Sequence, residues 1–344
     1  MSKEKIEGEI GKFSDHKIRG WCKAERADEP MHIECVVDDV LIGAFLANEP
    51  KKKLAKKEFS SINYGFSIDL ELTANLIHKV DVREAITKQS IPNSPTLIGG
   101  NSKQPLILFV HIPKTAGTSL RLMLNSCFDE DEVFPNLNDI RSNEGLYPDL
   151  SQIFSLNFNR LNNLKIVNGH YPMIVADNWL IDLKLITFFR RPSDRVLSHL
   201  KHLKKNDKNC REMTLEEIYQ KHKNSLVNLQ LRVLKNREYK NANLLSFEST
   251  SYSEQKLIET LNRFAAFGIV EEFDRSIAWI GDALNLTFDK KVFTNKSSTE
   301  LEVTDQLKSQ IETDCMLEQQ AYEIIKAEFY SRSSYLGPNP QTID

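Results

Sequence analysis

Leu106–Val110 is an unbroken apolar run, and the way the chain leaves it restricts the fold more than any other part of the sequence. The run exits into His111-Ile112-Pro113-Lys114-Thr115-Ala116-Gly117-Thr118-Ser119. Then Leu120, Met123, Leu124, Cys127 and Phe128 recur at the i, i+3, i+4, i+7, i+8 spacing of one helix face. A buried strand that turns through small residues directly into an amphipathic helix predicts a parallel sheet flanked by helices. The same alternation continues downstream. Leu164–Val167, Leu183–Phe189 and Phe267–Val270 read as further strands. Val196, Leu197, Leu200 and Leu203 line a helix, a second helix is expected over Phe273–Leu284, and one long helix over Asp305–Phe329.

The pattern before residue 100 is different. Short alternating runs, His32–Val37, Val40–Ala44 and Gly65–Leu70, are separated by turn residues such as Asp38 and Asp39. They predict a small all-β sandwich preceding the α/β part. Residues 91–105 hold three prolines and two glycines. The expected division is therefore a β-sandwich accessory domain over 1–92, a linker over 93–104 and an α/β domain over 105–344. Trp21, Tyr64 and Phe66 are readable in two ways, as core aromatics or as a sugar-stacking platform.

Bulk properties narrow the function classes. The formal net charge of −3 gives no general attraction to nucleic acid or anionic lipid, so any anion site must be local. Five cysteines, none in a C-x-x-C pair, predict reduced thiols rather than a disulfide framework or a zinc site. No apolar run reaches membrane-spanning length and no leader-like segment opens the chain, so a cytoplasmic protein without an integral membrane segment is expected.

Ligands of such sheets bind beyond the C-terminal ends of the strands. Three exits carry polar or cationic groups: His111–Ser119, then Asn168-Gly169-His170, then Arg190-Arg191-Pro192. Together they predict one cleft for an anionic ligand. The first combines Lys114, a glycine for close approach, the hydroxyls of Thr115, Thr118 and Ser119, and a helix N-terminus with its unpaired N–H groups. The Walker A spacing is absent, because Lys114 precedes the glycine.

The segment His111–Leu120 resembles the 5′-phosphosulfate loop, H-x-P-K-T-G-G-T-S, of the sulfotransferase family that includes heparan sulfate 2-O-sulfotransferase. Arg190-Arg191-Pro192-Ser193-Asp194-Arg195-Val196-Leu197-Ser198 resembles the family's 3′-phosphate motif, R-x-P-x-x-R-x-x-S. Gly20-Trp21-Cys22, the Gly43–Ala47 stretch and Gly65-Phe66 resemble a small β-sandwich module attached to various bacterial glycan-modifying transferases. The resemblance spans roughly residues 105–335 and implies a P-loop-like sulfotransferase fold using 3′-phosphoadenylyl sulfate (PAPS) without a metal. It implies that Lys114, Thr115, Ala116, Gly117, Thr118, Ser119, Arg190 and Ser198 bind PAPS, that Lys114 also stabilises the leaving group, and that His170 is the base. The acceptor implied is a glycan hydroxyl. Ala116 departs from the family's glycine, and an alanine fits there only with negative φ. Asn168 stands where some relatives have a second histidine, and as an amide it can position substrate but not take a proton. His111, read as ordering the loop, His199 and His202 are weaker base candidates. Arg195 is readable as a phosphate ligand or as the partner of an acid. Asn228 with Arg232, Glu271 in a G-x-x-E strand end, and Lys296 match the family more loosely. Lys201, Lys204, Lys205 and Lys208 form either a glycan-attracting patch or a solvated helix face. Two other classes fit parts of the sequence: a nucleotide-dependent kinase on a related fold, and a non-catalytic glycan-binding protein.

Overall fold

The computed structural model describes residues 5–25, 29–50, 63–143, 148–235, 253–288 and 302–336. Lys296 lies outside them. The strands, in chain order, are β1 (Ile6–Ser14), β2 (Lys17–Ala24), β3 (Met31–Val37), β4 (Val40–Ala47), β5 (Gly65–Asp69), β6 (Ile77–Glu84), β7 (Thr96–Gly99), β8 (Leu106–Val110), β9 (Val133–Phe134), β10 (Ile166–Gly169), β11 (Leu180–Ile181), β12 (Leu183–Phe189) and β13 (Phe264–Ile269). The helices are α1 (Gly117–Asn125), α2 (Leu137–Ser142), α3 (Phe158–Asn163), α4 (Ile174–Asn178), α5 (Pro192–Asn206), α6 (Leu215–Leu226), α7 (Leu229–Lys235), α8 (Glu254–Leu261), α9 (Phe273–Leu284), α10 (Asp305–Asp314) and α11 (Met316–Arg332). No helix among the described residues is long and apolar enough to cross a membrane.

Contacts divide the chain into two compact units. The first comprises residues 1–106, 149–164 and 176–183. It holds a three-stranded sheet, β1-β2-β5, and a five-stranded sheet, β11-β7-β6-β3-β4. Alternate residues of both sheets meet in one core, where Ile18 and Cys22 join Ile33, Cys35, Val80 and Val82. The period-2 pattern of these strands is the cause, since it sends every second side chain inward. Tyr64 and Phe66 are 4% and 3% exposed, so they belong to the core rather than to a stacking platform. Within the proline-rich stretch read as linker, Thr96–Gly99 forms β7, which pairs with β6 and β11. Later segments also brace this unit. The Asn162 side chain bonds both backbone groups of Ile77, and Lys79 donates to the Phe154 carbonyl.

The second unit comprises residues 107–148, 165–175 and 184–344. Its sheet has the order β13-β12-β8-β10-β9. The pairs β8–β10, β10–β9 and β12–β13 are parallel. Every residue of β8 is buried, as are the last five of β12, which explains their unbroken apolar sequence. Helices flank the sheet, with α9 and α11 packed on β13. The single helix expected over 305–329 is two, because the chain bends at Cys315 (φ −91°, ψ 7°). The bend lets α10 join a cluster with α5 and α6 while α11 reaches β13 and α8.

Candidate anion-binding and proton-transfer site

The strand order sets β12, β8 and β10 side by side, so the three polar exits read from the sequence are neighbours. Val110 pairs with Gly169, and the His111 N–H donates to the Gly169 carbonyl at 3.1 Å. From β12, the Thr187 hydroxyl donates to the Val110 carbonyl at 2.7 Å. The structure thus gathers His111, Lys114, His170 and Arg190 within the second unit.

The loop from β8 to α1 is held by its own short-range contacts. Thr115 is fully buried, and its hydroxyl donates to the Ile112 carbonyl at 2.9 Å. That hydroxyl shapes the loop instead of facing a ligand. Lys114 and Ala116 both have positive φ, 70° and 58°. The expected negative φ at Ala116 is therefore corrected: Ala116 caps α1 in the left-handed region. A left-handed cap is what turns the chain sharply enough to present the first N–H groups of α1, which have no intrahelical partner. Gly117 is required for a different reason. A Cβ there would lie 2.0 Å from His111 Cδ2, so the glycine admits the imidazole ring. Thr118 is exposed and Ser119 half-buried at the start of α1.

His111 is sandwiched between Phe109, stacked at 5.1 Å, and His170, at 4.2 Å between ring centroids. Burial, then the charges of His170, Arg121 and Lys114, hold its pKa well below the ordinary histidine range. It is a neutral structural ring, as its loop-ordering role requires. His170 packs one face on His111 while its outer edge meets solvent. Its Nδ1 lies 2.8 Å from the His111 carbonyl oxygen. A carbonyl can only accept, so the proton of the neutral ring sits on Nδ1 and the lone pair on Nε2. Desolvation by its neighbours lowers the His170 pKa; the hydrogen bond to His111 opposes this, and the charges of Arg121 and Lys114 reinforce it. The ring is thus oriented with Nε2 as its open hydrogen-bonding atom.

Arg121 and Lys114 act on this ring, and Arg190 acts on Lys114. Burial and then Arg190 lower the Lys114 pKa from its ordinary 10.5. Arg190 Nη1 donates to the Lys114 carbonyl at 3.4 Å, which ties β12 to the loop. Like charges held together in partial burial are costly alone and are relieved by an anion. The Arg190 backbone is itself clamped. Its N–H donates to Gln230 Oε1 and its carbonyl accepts from Gln230 Nε2, both at 2.9 Å. Gln230 is buried in α7 and donates its own N–H to Glu318 of α11 at 2.8 Å. Next door, the Arg191 N–H donates to Glu271 Oε1 at 2.8 Å, and Tyr322 holds the other oxygen at 2.6 Å. The G-x-x-E strand end therefore supports the arginine exit.

Ser198 is half-buried on α5, two turns beyond Arg190. Arg195, on the same helix, is fully buried; it donates to the Leu226 carbonyl and feels the Glu318 charge. Arg232 caps the end of α6 through the Asn224 and Ser225 carbonyls. Asn228, at φ 56°, is buried at the turn into α7. Asn168 is buried too, and its amide donates to Asn125 of α1 at 3.0 Å. Burial and the charges of Arg195, Lys114 and nearby histidines push His199 down to about 3. His202 is lowered by burial and by Lys114. Lys204 donates to the Met213 carbonyl, so it belongs to the fold of the α5–α6 turn. Sequence reasoning passed over Arg121, Gln230 and Glu318. Only Arg121 carried a local signal, a cation one turn into the loop's own helix.

No family model matches the chain, and no curated protein matches it. Among solved structures, a sulfotransferase from Alicyclobacillus acidocaldarius is similar at 15% identity, with 66% of this chain and 96% of that chain covered and a TM-score of 0.36. Mouse sulfotransferase SULT7A1 complexed with PAP is similar at 13% identity, with 65% and 68% covered and a TM-score of 0.31. Likeness at this level settles neither the fold family nor the activity.

Proposed function

We propose that the second unit is a PAPS-dependent O-sulfotransferase whose base is His170 and whose acceptor is a glycan hydroxyl. The observation that carries the reading is the hydrogen bond from His170 Nδ1 to the His111 carbonyl, which leaves Nε2 as acceptor beside the Lys114 loop. One motif supplies Lys114 and the other Arg190, whose guanidinium donates to the Lys114 carbonyl. The loop N–H groups, Lys114, Thr118 and Ser119 suit the 5′-phosphosulfate, and Arg190 with Ser198 suits the 3′-phosphate. In a single in-line step the acceptor oxygen bonds to sulfur as its proton passes to His170 Nε2. The bond from sulfur to the bridging oxygen breaks, and 3′,5′-ADP leaves with its new charge beside Lys114.

The test is transfer of labelled sulfate from PAPS to a panel of polysaccharides. His170→Ala should lower kcat about 10²–10⁴-fold, the usual size of a general-base contribution, with 3′,5′-ADP affinity retained. Near wild-type turnover in that variant would remove His170 from the mechanism. Preference for ATP–Mg²⁺ over 3′,5′-ADP in thermal shift would instead favour a kinase. The pH profile has a defined sign. The base must be neutral and desolvation by its neighbours lowers its pKa, so the acid limb of kcat/KM should fall below the ordinary 6.5. A limb above that value would mean another group titrates.

A further inference from the structure

Away from the anion site, the second unit brings together Asp207, Cys210 and His222, whose ligand atoms all lie within 4.8 Å of one another. Asp207 comes directly after the last residue of α5, and Cys210 sits in the next turn. That turn is tight: the Cys210 N–H donates to the Asp207 carbonyl at 3.0 Å, and the Asn209 N–H donates to its carboxylate at 2.8 Å. The turn therefore places a carboxylate and a thiol on one short loop. Helix α6 packs along α5 and delivers His222 to the same point. Cys210 Sγ and His222 Nε2 are 3.6 Å apart. A tetrahedral zinc ion with Zn–S of about 2.3 Å and Zn–N of about 2.0–2.1 Å sets its two ligands about 3.6 Å apart.

We propose that Asp207, Cys210 and His222 form a binding site for a zinc-class divalent transition metal. Thiolate, imidazole and carboxylate together suit zinc or cobalt and do not suit magnesium or calcium, which take oxygen ligands. Three protein ligands leave the fourth position to water. Cys210 is fully buried while Asp207 and His222 are half-buried, so sulfur is shielded and the ion has an entry side. The thiol proton is released to solvent as the metal–sulfur bond forms. Among the described residues no other cysteine joins such a group. Bound metal would pin the end of α5, the helix carrying Ser198, to α6. This site stands independently of the sulfotransferase reading.

The experiment uses the full chain, stripped with chelator and titrated with Zn²⁺ and Co²⁺. One equivalent should bind, cobalt should give a thiolate charge-transfer band, and Tm should rise. Cys210→Ser should abolish the band. His222→Gln, at a half-buried position where folding can be confirmed by circular dichroism, should weaken affinity at least about 10–100-fold, the range lost when even an outer partner is removed. Absence of the band in folded wild type, or its persistence in Cys210→Ser, overturns the proposal. Should Cys210→Ser not fold, unchanged affinity in His222→Gln overturns it. Displacement of zinc by equimolar Mg²⁺ or Ca²⁺ overturns the metal class.

Discussion

The two cationic walls of the candidate site are built in opposite ways. The β8–α1 wall is local: Thr115 bonds Ile112, the His111 ring fills the space over Gly117, and Ala116 caps α1. The β12–α5 wall is assembled from a distance. Gln230 grips Arg190, Glu271 grips Arg191, and Glu318 and Tyr322 hold those two in turn. A change in the first wall acts on the loop and, through His111, on the orientation of His170. The second wall is correct only when α7, β13 and α11 are all docked. Short-range determinants thus position the Lys114 loop, and tertiary packing positions Arg190.

The comparison breaks if the two walls respond alike. Gln230→Leu should have the largest effect. It deletes both bonds to the Arg190 backbone and leaves an N–H and a carbonyl unpaired, at about 1–3 kcal/mol each, or about 2–6 kcal/mol of stability. Because Arg190 shifts while His170 does not, KM for the nucleotide should rise more than kcat falls. Lost stability with unchanged KM would make the clamp merely structural. Gly117→Ala comes next. Its Cβ would overlap the His111 ring at 2.0 Å, and relieving such overpacking costs about 1–3 kcal/mol. Moving that ring also moves the carbonyl that orients His170, so kcat should fall with little change in nucleotide affinity. A pure affinity loss would show that the loop and the base are uncoupled.

The same contrast explains what could be read in advance. The strand–loop–helix passage, the three exits and the Phe273–Leu284 helix were legible because each is written in contiguous residues with a recognisable period. The topology then brought the exits together, as a parallel sheet with ligands at its strand ends implies. Gln230 and Glu318 were not legible, since a buried glutamine on an apolar helix carries no local sign of the backbone it will meet 40 residues away. The break at Cys315 was hidden because apolar spacing continues across it; only the separate destinations of α10 and α11 require the bend. Asp207, Cys210 and His222 matched no familiar spacing, because one ligand arrives on a different helix.

Ala116 is where sequence and structure disagree within the local wall, and its replacement is the smallest and sharpest test. At φ 58° an L-residue with a Cβ is strained by about 1–2 kcal/mol, whereas glycine is not. Glycine also gains freedom in the unfolded chain, which offsets about 0.4–1 kcal/mol of that relief. Ala116→Gly should therefore stabilise the protein by up to about 1.5 kcal/mol in equilibrium denaturation. The variant restores the glycine that the resembling loops carry, so PAPS binding should be kept or improved. If stability instead falls, the Ala116 methyl contributes packing that outweighs its backbone strain. If stability rises but turnover drops, the strained cap itself holds the α1 N–H groups in register with the transferring group, and the local wall is tuned rather than tolerated.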